Sequence, residues 1–226
     1  MTCSRRRMIV AIVVNILVFA FEVWAMYRGI KKNGPFGNFI FYTECSNLFA
    51  GIVCAMCAIS EVRALRAGVG ISQAMRWLKY MASCVLLMTL FVVTFVLVPM
   101  LVNAGYPGFS MMYLDGAKPL THLGAPLIVT ISYVLFEADR SMTFKQSLVG
   151  FAPTLLYAAV AYPCNILRVW DGPYPFFQVW NMPIWQSILW FIVLFILAFS
   201  LCQIPRLLAR RKRSRSGDFA KEGVRS

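Results

Sequence analysis

Charged residues are scarce in this sequence, and acidic residues are the scarcest. Of its 226 residues, 14% are charged and nine are Asp or Glu, whereas 60% are hydrophobic and the mean hydropathy is +0.69. A soluble globular domain is about a quarter charged and nearer half apolar. The composition therefore excludes an ordinary soluble domain and predicts a protein that lies in a lipid bilayer.

Several chemical motifs are also missing. The single histidine, His122, cannot supply both axial ligands of a bis-histidine haem, and no Cys/His spacing matches a zinc site. A Gly-rich phosphate-binding loop is absent, and so is the GxSxG nucleophile elbow, which excludes an α/β-hydrolase. We therefore predict no metal and no cofactor, so that any catalysis would come from side chains alone.

Long apolar runs are what the sequence has in abundance. Six of them are each near the ~20 residues that cross ~30 Å of hydrocarbon. They predict an all-α, polytopic bundle of six transmembrane helices in residues 1–205, followed by a basic cytoplasmic tail in residues 206–226. Because the fourth and fifth runs are short, a bundle of five spans is the alternative. The runs are residues 8–27, 39–60, 78–98, 120–136, 148–164 and 184–204.

The distribution of Lys and Arg predicts the orientation of the bundle. With the N-terminus inside, the inner segments and the tail hold 17 of the 22 cations, although the first outer loop holds three of the other five. Since cytoplasmic segments are enriched in Lys and Arg, we expect both termini in the cytoplasm and the protein in the cell membrane. The first apolar run, preceded by three arginines, is expected to be an uncleaved signal anchor.

The net charge of +13 is concentrated in the tail, which holds eight cations. Each cation near a membrane surface contributes about 1 kcal/mol of attraction to anionic lipids. We therefore expect the tail to bind anionic headgroups. Nucleic acid binding is the alternative explanation of the charge, and we do not predict it.

Seven cysteines are present, an odd number. Cys54 and Cys57 form a CxxC, but they lie in mid-span without the accessible loop of a redox motif, so packing is the favoured interpretation. Cys45 and Cys164 both fall near the outer surface of the predicted bundle. Whether they form a disulfide stays open, because sequence alone does not define the geometry of the pair.

The second apolar run carries small and polar residues on one helical face. Thr43, Ser46, Asn47 and Cys54 follow the 3-and-4 spacing of that face. In lipid such a stripe turns towards other helices, where small residues allow close approach and polar ones find partners. Two interpretations stay open: the stripe joins helices, or it belongs to a functional site.

The fourth run contains His122 followed by Pro126. Because proline has no N–H, the carbonyl of His122 loses its helical partner, and the backbone there is free to bend. A lone histidine is more often a structural residue than a catalyst, but within an apolar span it is a candidate for function.

Counting the helical rise from the outer end of each span places polar residues of the first four spans at a similar depth, in the outer third of the bilayer. A hydroxyl beside a base is the arrangement used in nucleophilic catalysis, so Thr43 is the candidate nucleophile and His122 the candidate base. Asn47, one turn from Thr43, is a candidate donor to the oxyanion, and Glu22 is a candidate for orienting the imidazole. Depth near the lipid carbonyls favours a lipid ester as substrate.

The longest outer segment, residues 165–183, is rich in aromatic residues and proline. Trp and Tyr favour the headgroup layer, and the prolines prevent a long helix. The segment is expected either to cover the bundle or to form an aromatic belt with no covering role.

Two short motifs carry a resemblance to known proteins. Residues 41–48 follow the pattern YT-x-x-SN-L, and residues 121–126 contain H-x-x-x-P. Through these motifs and the span order, most of the chain resembles small six-helix bacterial membrane proteins of largely unassigned function. More distantly, through Thr43, His122 and the span count, it resembles the androgen-induced and androgen-dependent TFPI-regulating proteins.

Those distant proteins are intramembrane threonine hydrolases that cleave fatty-acid esters of hydroxy fatty acids. The resemblance implies a nucleophile at Thr43, a base at His122 and a lipid-ester substrate. In the hydrolases an asparagine follows the threonine by three residues, whereas Asn47 follows Thr43 by four. The resemblance therefore does not extend to a role for Asn47.

Two other classes of function stay open. A small transporter would use inward-facing polar residues such as Asn15, Glu22 and Thr94, together with spans broken by proline. A non-catalytic accessory protein that binds another membrane protein would need no essential polar pair.

Overall fold

The computed structural model describes residues 5–170 and 172–222, without the side chains of Pro35 and of residues 212–222. This part of the chain consists of helices and loops, with no β-strand. It contains six helices long and apolar enough to cross a membrane, which confirms the predicted helical bundle with six spans rather than five. In chain order, spans one to six are Arg5–Asn33, Tyr42–Ala67, Gln73–Asn103, Leu120–Glu137, Phe144–Ile166 and Ile184–Arg211.

The turn between spans two and three shows how local sequence sets the helix ends. Gly68 follows span two with φ 68°, a left-handed conformation that glycine adopts without steric cost. Ser72 then caps span three by accepting a hydrogen bond from the Met75 N–H at 3.3 Å. Span three therefore begins at Gln73, before the predicted start at residue 78. Lys79, at the very edge of the predicted run 78–98, is therefore placed well inside the span.

Span three is the centre of the bundle. It contacts spans two, four, five and six, whereas span one packs mainly on span two. Every side chain from residue 82 to residue 89 is buried. Spans five and six leave most of their apolar surface outside, which is the arrangement expected of helices that face lipid.

Pro126 reshapes the beginning of span four. The span starts with a π-helical turn, Leu120–Gly124, in which the N–H of Ala125 bonds to the carbonyl of Leu120. The proline cannot donate to the carbonyl of His122, so the regular hydrogen-bond ladder is interrupted there. The irregular backbone predicted beside His122 is thus present as a π turn, a feature frequent at functional sites.

The last helix passes the predicted boundary between bundle and tail at residue 205. It runs Ile184–Glu222 with Pro205 inside it. Arg206, 9% exposed, donates from Nε to the Met142 carbonyl at 3.2 Å, and Arg210 donates to the same carbonyl at 3.1 Å. The start of the tail therefore packs on the loop between spans four and five. Residues 223–226 of the predicted tail lie outside the described residues.

The two ends of the bundle differ in composition, and we name them accordingly. The basic end holds the start of span one, loops 68–72 and 138–143, and the continuation of the last helix. The aromatic end holds residues 34–41, 104–119 and 172–183.

Candidate functional site

A largely apolar cavity lies at the aromatic end, between spans two, three, five and six. The cavity volume, counted as space for the centre of a water molecule, is about 70 Å³, and the cavity is partly open to the outside. Concave sites that are mostly apolar, with a few placed polar groups, are typical ligand sites. The walls include Thr43, Met88, Phe151, Ala158, Phe176 and Phe195.

The aromatic segment forms the roof of this cavity. Tyr174, Phe176 and Phe177 are 5%, 3% and 5% exposed, and all three line the cavity. The rings of Tyr174 and Phe176 stack with centroids 5.2 Å apart, and Phe177 meets Tyr162 edge to face at 5.0 Å. Of the two interpretations of residues 165–183, the structure therefore supports the cover, while Trp180 remains mostly exposed.

Thr43 lies in the first turn of span two, at the cavity wall. Backbone N–H groups in a first helical turn have no partner within the helix. The N–H of Thr43 donates instead to the hydroxyl oxygen of Tyr174 at 3.3 Å, which ties the roof to the candidate nucleophile. Burial raises the pKa of Tyr174 to about 12, so its hydroxyl stays neutral at physiological pH.

The polar stripe of span two is turned inward, as predicted. Asn47 Nδ2 and Ser46 Oγ both donate to the carbonyl oxygen of Thr43, at 2.7 and 2.9 Å. Ser46 also pairs with the hydroxyl of Thr89 on span three, at 2.8 Å. The Asn47 amide thus has one donor engaged within its own helix, and its Oδ1 is buried without a partner among the described residues.

His122 is buried at the start of span four, where Nδ1 is 2.7 Å from the carbonyl oxygen of Met112. A carbonyl can only accept a hydrogen bond, so Nδ1 carries a hydrogen, and in the neutral imidazole Nε2 keeps its lone pair. This tautomer suits a base. The ring of Tyr113 meets the imidazole edge to face, with centroids 6.3 Å apart.

The structure brings only some of the predicted site residues together. Thr43 and Asn47 are joined within span two, but no hydrogen bond among the described residues links Thr43 to His122. His122 is also not one of the residues that line the cavity. The orienting position assigned to Glu22 is occupied by the Met112 carbonyl, because that oxygen already holds Nδ1 of the imidazole.

Glu22 lies elsewhere, between spans one and two. Its side chain packs on Gly51, where an added Cβ would lie 2.9 Å from the Glu22 Cβ. The residue is 4% exposed, and its Oε1 has no hydrogen-bond partner among the described residues. Glycine at position 51 is therefore what allows a carboxyl side chain to fit in this helix contact.

A second group of polar residues was missed as a group by the sequence analysis. Nearer the basic end, the Lys79 ammonium lies 3.7 Å from Glu137 Oε1, with side chains 0% and 1% exposed. Asn15 Nδ2 donates to Glu61 Oε2 and to Glu137 Oε1, at 3.0 Å each. We call these four residues the charged cluster. Lys79 could have indicated this cluster in the sequence. It is a cation at the start of an apolar run, and the helix capped at Ser72 extends the span so that Lys79 lies within it.

The cysteines contribute no cross-link and no metal centre to the described part of the chain. Cys45 and Cys164 are both free thiols, and Cys45 Sγ donates to the Phe39 carbonyl at 3.2 Å. Groups of three or more His, Cys, Asp or Glu side chains arranged to hold a metal ion do not occur among the described residues. Cys54 and Cys57 are buried in the helix packing, in line with the packing interpretation.

Comparisons of this chain with models of protein families, with curated proteins and with solved structures found no match. The family resemblance drawn from the two motifs therefore stays a prediction. Any assignment of function has to come from the geometry described above.

Proposed function

We propose that this protein holds the acyl chain of a lipid ester in the cavity at its aromatic end and hydrolyses the ester at Thr43. The observation that carries the proposal is the position of Thr43 in the wall of a largely apolar cavity roofed by aromatic side chains. An acyl chain matches the apolar walls, and the ester group would lie at the polar rim beside the start of span two.

The chemistry follows the roles expected from the sequence. His122 Nε2 takes the proton of the Thr43 hydroxyl, whose oxygen attacks the ester carbonyl and displaces the alcohol, which leaves with a proton from the imidazolium. Water activated by the same imidazole then releases the fatty acid. The second N–H of Asn47 donates to the oxyanion, a contribution of roughly 3 kcal/mol when well placed. The Met112 carbonyl, rather than Glu22, orients the ring.

The proposal requires movement at the π turn. The Thr43 hydroxyl and Nε2 must come within about 3 Å in the reacting complex, and catalytic hydrogen bonds often form only once substrate is bound. A π turn beside a proline is a place where a span can shift at low cost. We propose that lipid entry brings His122 to the cavity wall.

The membrane setting is part of the proposal. We place the protein in the cell membrane with both termini in the cytoplasm, so that the aromatic end faces outward and the cavity takes lipid from the outer leaflet. The cations of the tail would contact anionic headgroups of the inner leaflet. Arg206 and Arg210 are already engaged with the Met142 carbonyl, so the later cations of the tail carry most of that contact.

Labelling with a fluorophosphonate tests the nucleophile. The purified protein in nanodiscs is treated with an alkyl fluorophosphonate, and peptide mass spectrometry locates the adduct. We expect an adduct on Thr43 that is lost in Thr43→Ala and strongly reduced in His122→Ala, while Thr43→Ser retains labelling. Thr130→Ala is the matched control, because it removes a buried threonine of span four that does not line the cavity. Undiminished labelling of Thr43→Ala would contradict the proposal.

A transporter is the second candidate, and one observation favours it. The charged cluster places ionisable side chains inside the bundle, which is costly in a membrane and is typical of ion and proton pathways. A transporter would tolerate Thr43→Ala and lose function when the cluster is changed. Flux into proteoliposomes with these two sets of variants separates the two candidates.

A further inference from the structure

The charged cluster contains an imbalance of charge. It has two carboxyl groups, from Glu61 and Glu137, and one ammonium group, from Lys79. All of these residues are at most 2% exposed. Buried ions persist only when they are paired, and an unpaired one is neutralised instead. With both carboxyl groups ionised, the cluster would carry one uncompensated negative charge.

The surroundings do not supply the missing positive charge. Two guanidinium groups that contact this region bond to backbone carbonyls instead: Arg76 donates to those of Glu137 and Ala138 at 3.2 and 3.3 Å, and Arg7 donates to that of Leu135 at 2.8 Å. Within the described part of the chain, the one ion pair of either carboxylate is that between Glu137 and Lys79. Neutrality therefore requires one bound proton.

The hydrogen bonds indicate which carboxyl group takes it. Glu137 faces the ammonium and also accepts from the Ser132 hydroxyl, at 3.2 Å to each carboxylate oxygen. Glu61 accepts one hydrogen bond, from Asn15 to Oε2. The Lys79 ammonium is shared among Glu137, the Asn15 carbonyl oxygen and Cys54 Sγ. Glu137 is the better stabilised anion, because ion pairing and hydrogen bonding both favour the charged form.

We infer that Glu61 binds a proton at Oε1, and that the charged cluster is a proton-binding site between spans one, two, three and four. Uptake of one proton from water changes the net charge of the cluster from minus one to zero. Glu61 lies about 9 Å from the end of span two, at a rise of 1.5 Å per residue, so the exchange is with the basic end. The inference does not depend on ester hydrolysis at the other end of the bundle.

The groups that face Glu61 come from every helix packed against span two. Span one contributes Asn15, which does not titrate, span three contributes Lys79, and span four contributes Glu137. On its own helix the buried Cys57 thiol is one turn away, and the side chain of Arg63, two residues on, is exposed. Glu61 is thus the group whose protonation balances the cluster.

Infrared spectroscopy of the full chain in nanodiscs tests this. A protonated carboxyl has a carbonyl stretch well separated from the carboxylate bands, and the difference spectrum between parent and Glu61→Gln isolates the contribution of this site. Both proteins in this comparison also carry Glu22→Gln, because Glu22 is a second buried carboxyl. We expect one carboxyl band at neutral pH that disappears in Glu61→Gln and moves to lower frequency in D₂O as the site exchanges with water.

A second variant decides which carboxyl holds the proton. Ser132→Ala removes a hydrogen bond from Glu137 alone, so the band should keep its position. A shift of the band in Ser132→Ala, or a spectrum unchanged by Glu61→Gln, would overturn the inference. So would failure of Glu61→Gln to fold, because a neutral amide of the same shape reproduces the protonated state.

Discussion

The ion pair between Lys79 and Glu137 should be worth far more to folding than a pair of the same length at the surface. At 3.7 Å, two unit charges attract by about 4 kcal/mol at an effective dielectric constant of about 20. Removing one partner leaves the other buried and uncompensated, which costs about 3–5 kcal/mol. We therefore expect Lys79→Met to lower the free energy of unfolding by that amount.

The same reasoning predicts recovery in a double variant. Combining Lys79→Met with Glu137→Gln removes both charges and should restore most of the lost stability, because no unpaired ion remains. The coupling energy of this double-mutant cycle is expected to be about 3 kcal/mol. Unfolding is followed by tryptophan fluorescence during titration with SDS in mixed micelles.

The structure supplies a matched control. Lys32 and Asp115 are also 3.7 Å apart, but their side chains are 70% and 54% exposed. Lys32→Met should therefore cost less than about 1 kcal/mol, and added salt should diminish even that. If Lys79→Met proves as mild as Lys32→Met, or the double variant is no more stable than the single one, the buried pair does not contribute as reasoned here.

Three further outcomes are expected. Ala158→Phe places a ring in the cavity and should reduce binding of a fluorescent fatty-acid ester at least tenfold. Ala159→Phe, at an exposed position of the same span, should leave binding unchanged. Equal effects of the two variants would place the ligand elsewhere. Gly150→Ala puts a Cβ 2.6 Å from the Tyr80 ring and should cost about 1–3 kcal/mol of stability in the SDS titration. Thr143→Ala breaks the capping box before span five and should cost about 1 kcal/mol; no measurable loss would show that the cap contributes nothing.

Local features of the site were predictable because they depend on neighbours in sequence. The inward stripe of span two follows from the spacing of Thr43, Ser46 and Asn47, and the irregular backbone at His122 follows from Pro126. The orientation of the imidazole was not predictable in this way. Its partner is a backbone carbonyl, that of Met112, and every residue has a carbonyl, so sequence carries no signal for which one is used.

Hydropathy and helical period by themselves determined an all-helical membrane bundle, because a helix that crosses lipid must be apolar over its own length whatever it packs against. The structure decided for six spans rather than five. Only the tertiary structure decided which polar side chains meet. It places Lys79 beside Glu137 and Asn15, turns Tyr174 onto Thr43 and keeps His122 apart from the cavity wall. The physical reason is that these contacts join different helices, and their geometry depends on how the helices rotate and cross, which no single stretch of sequence contains.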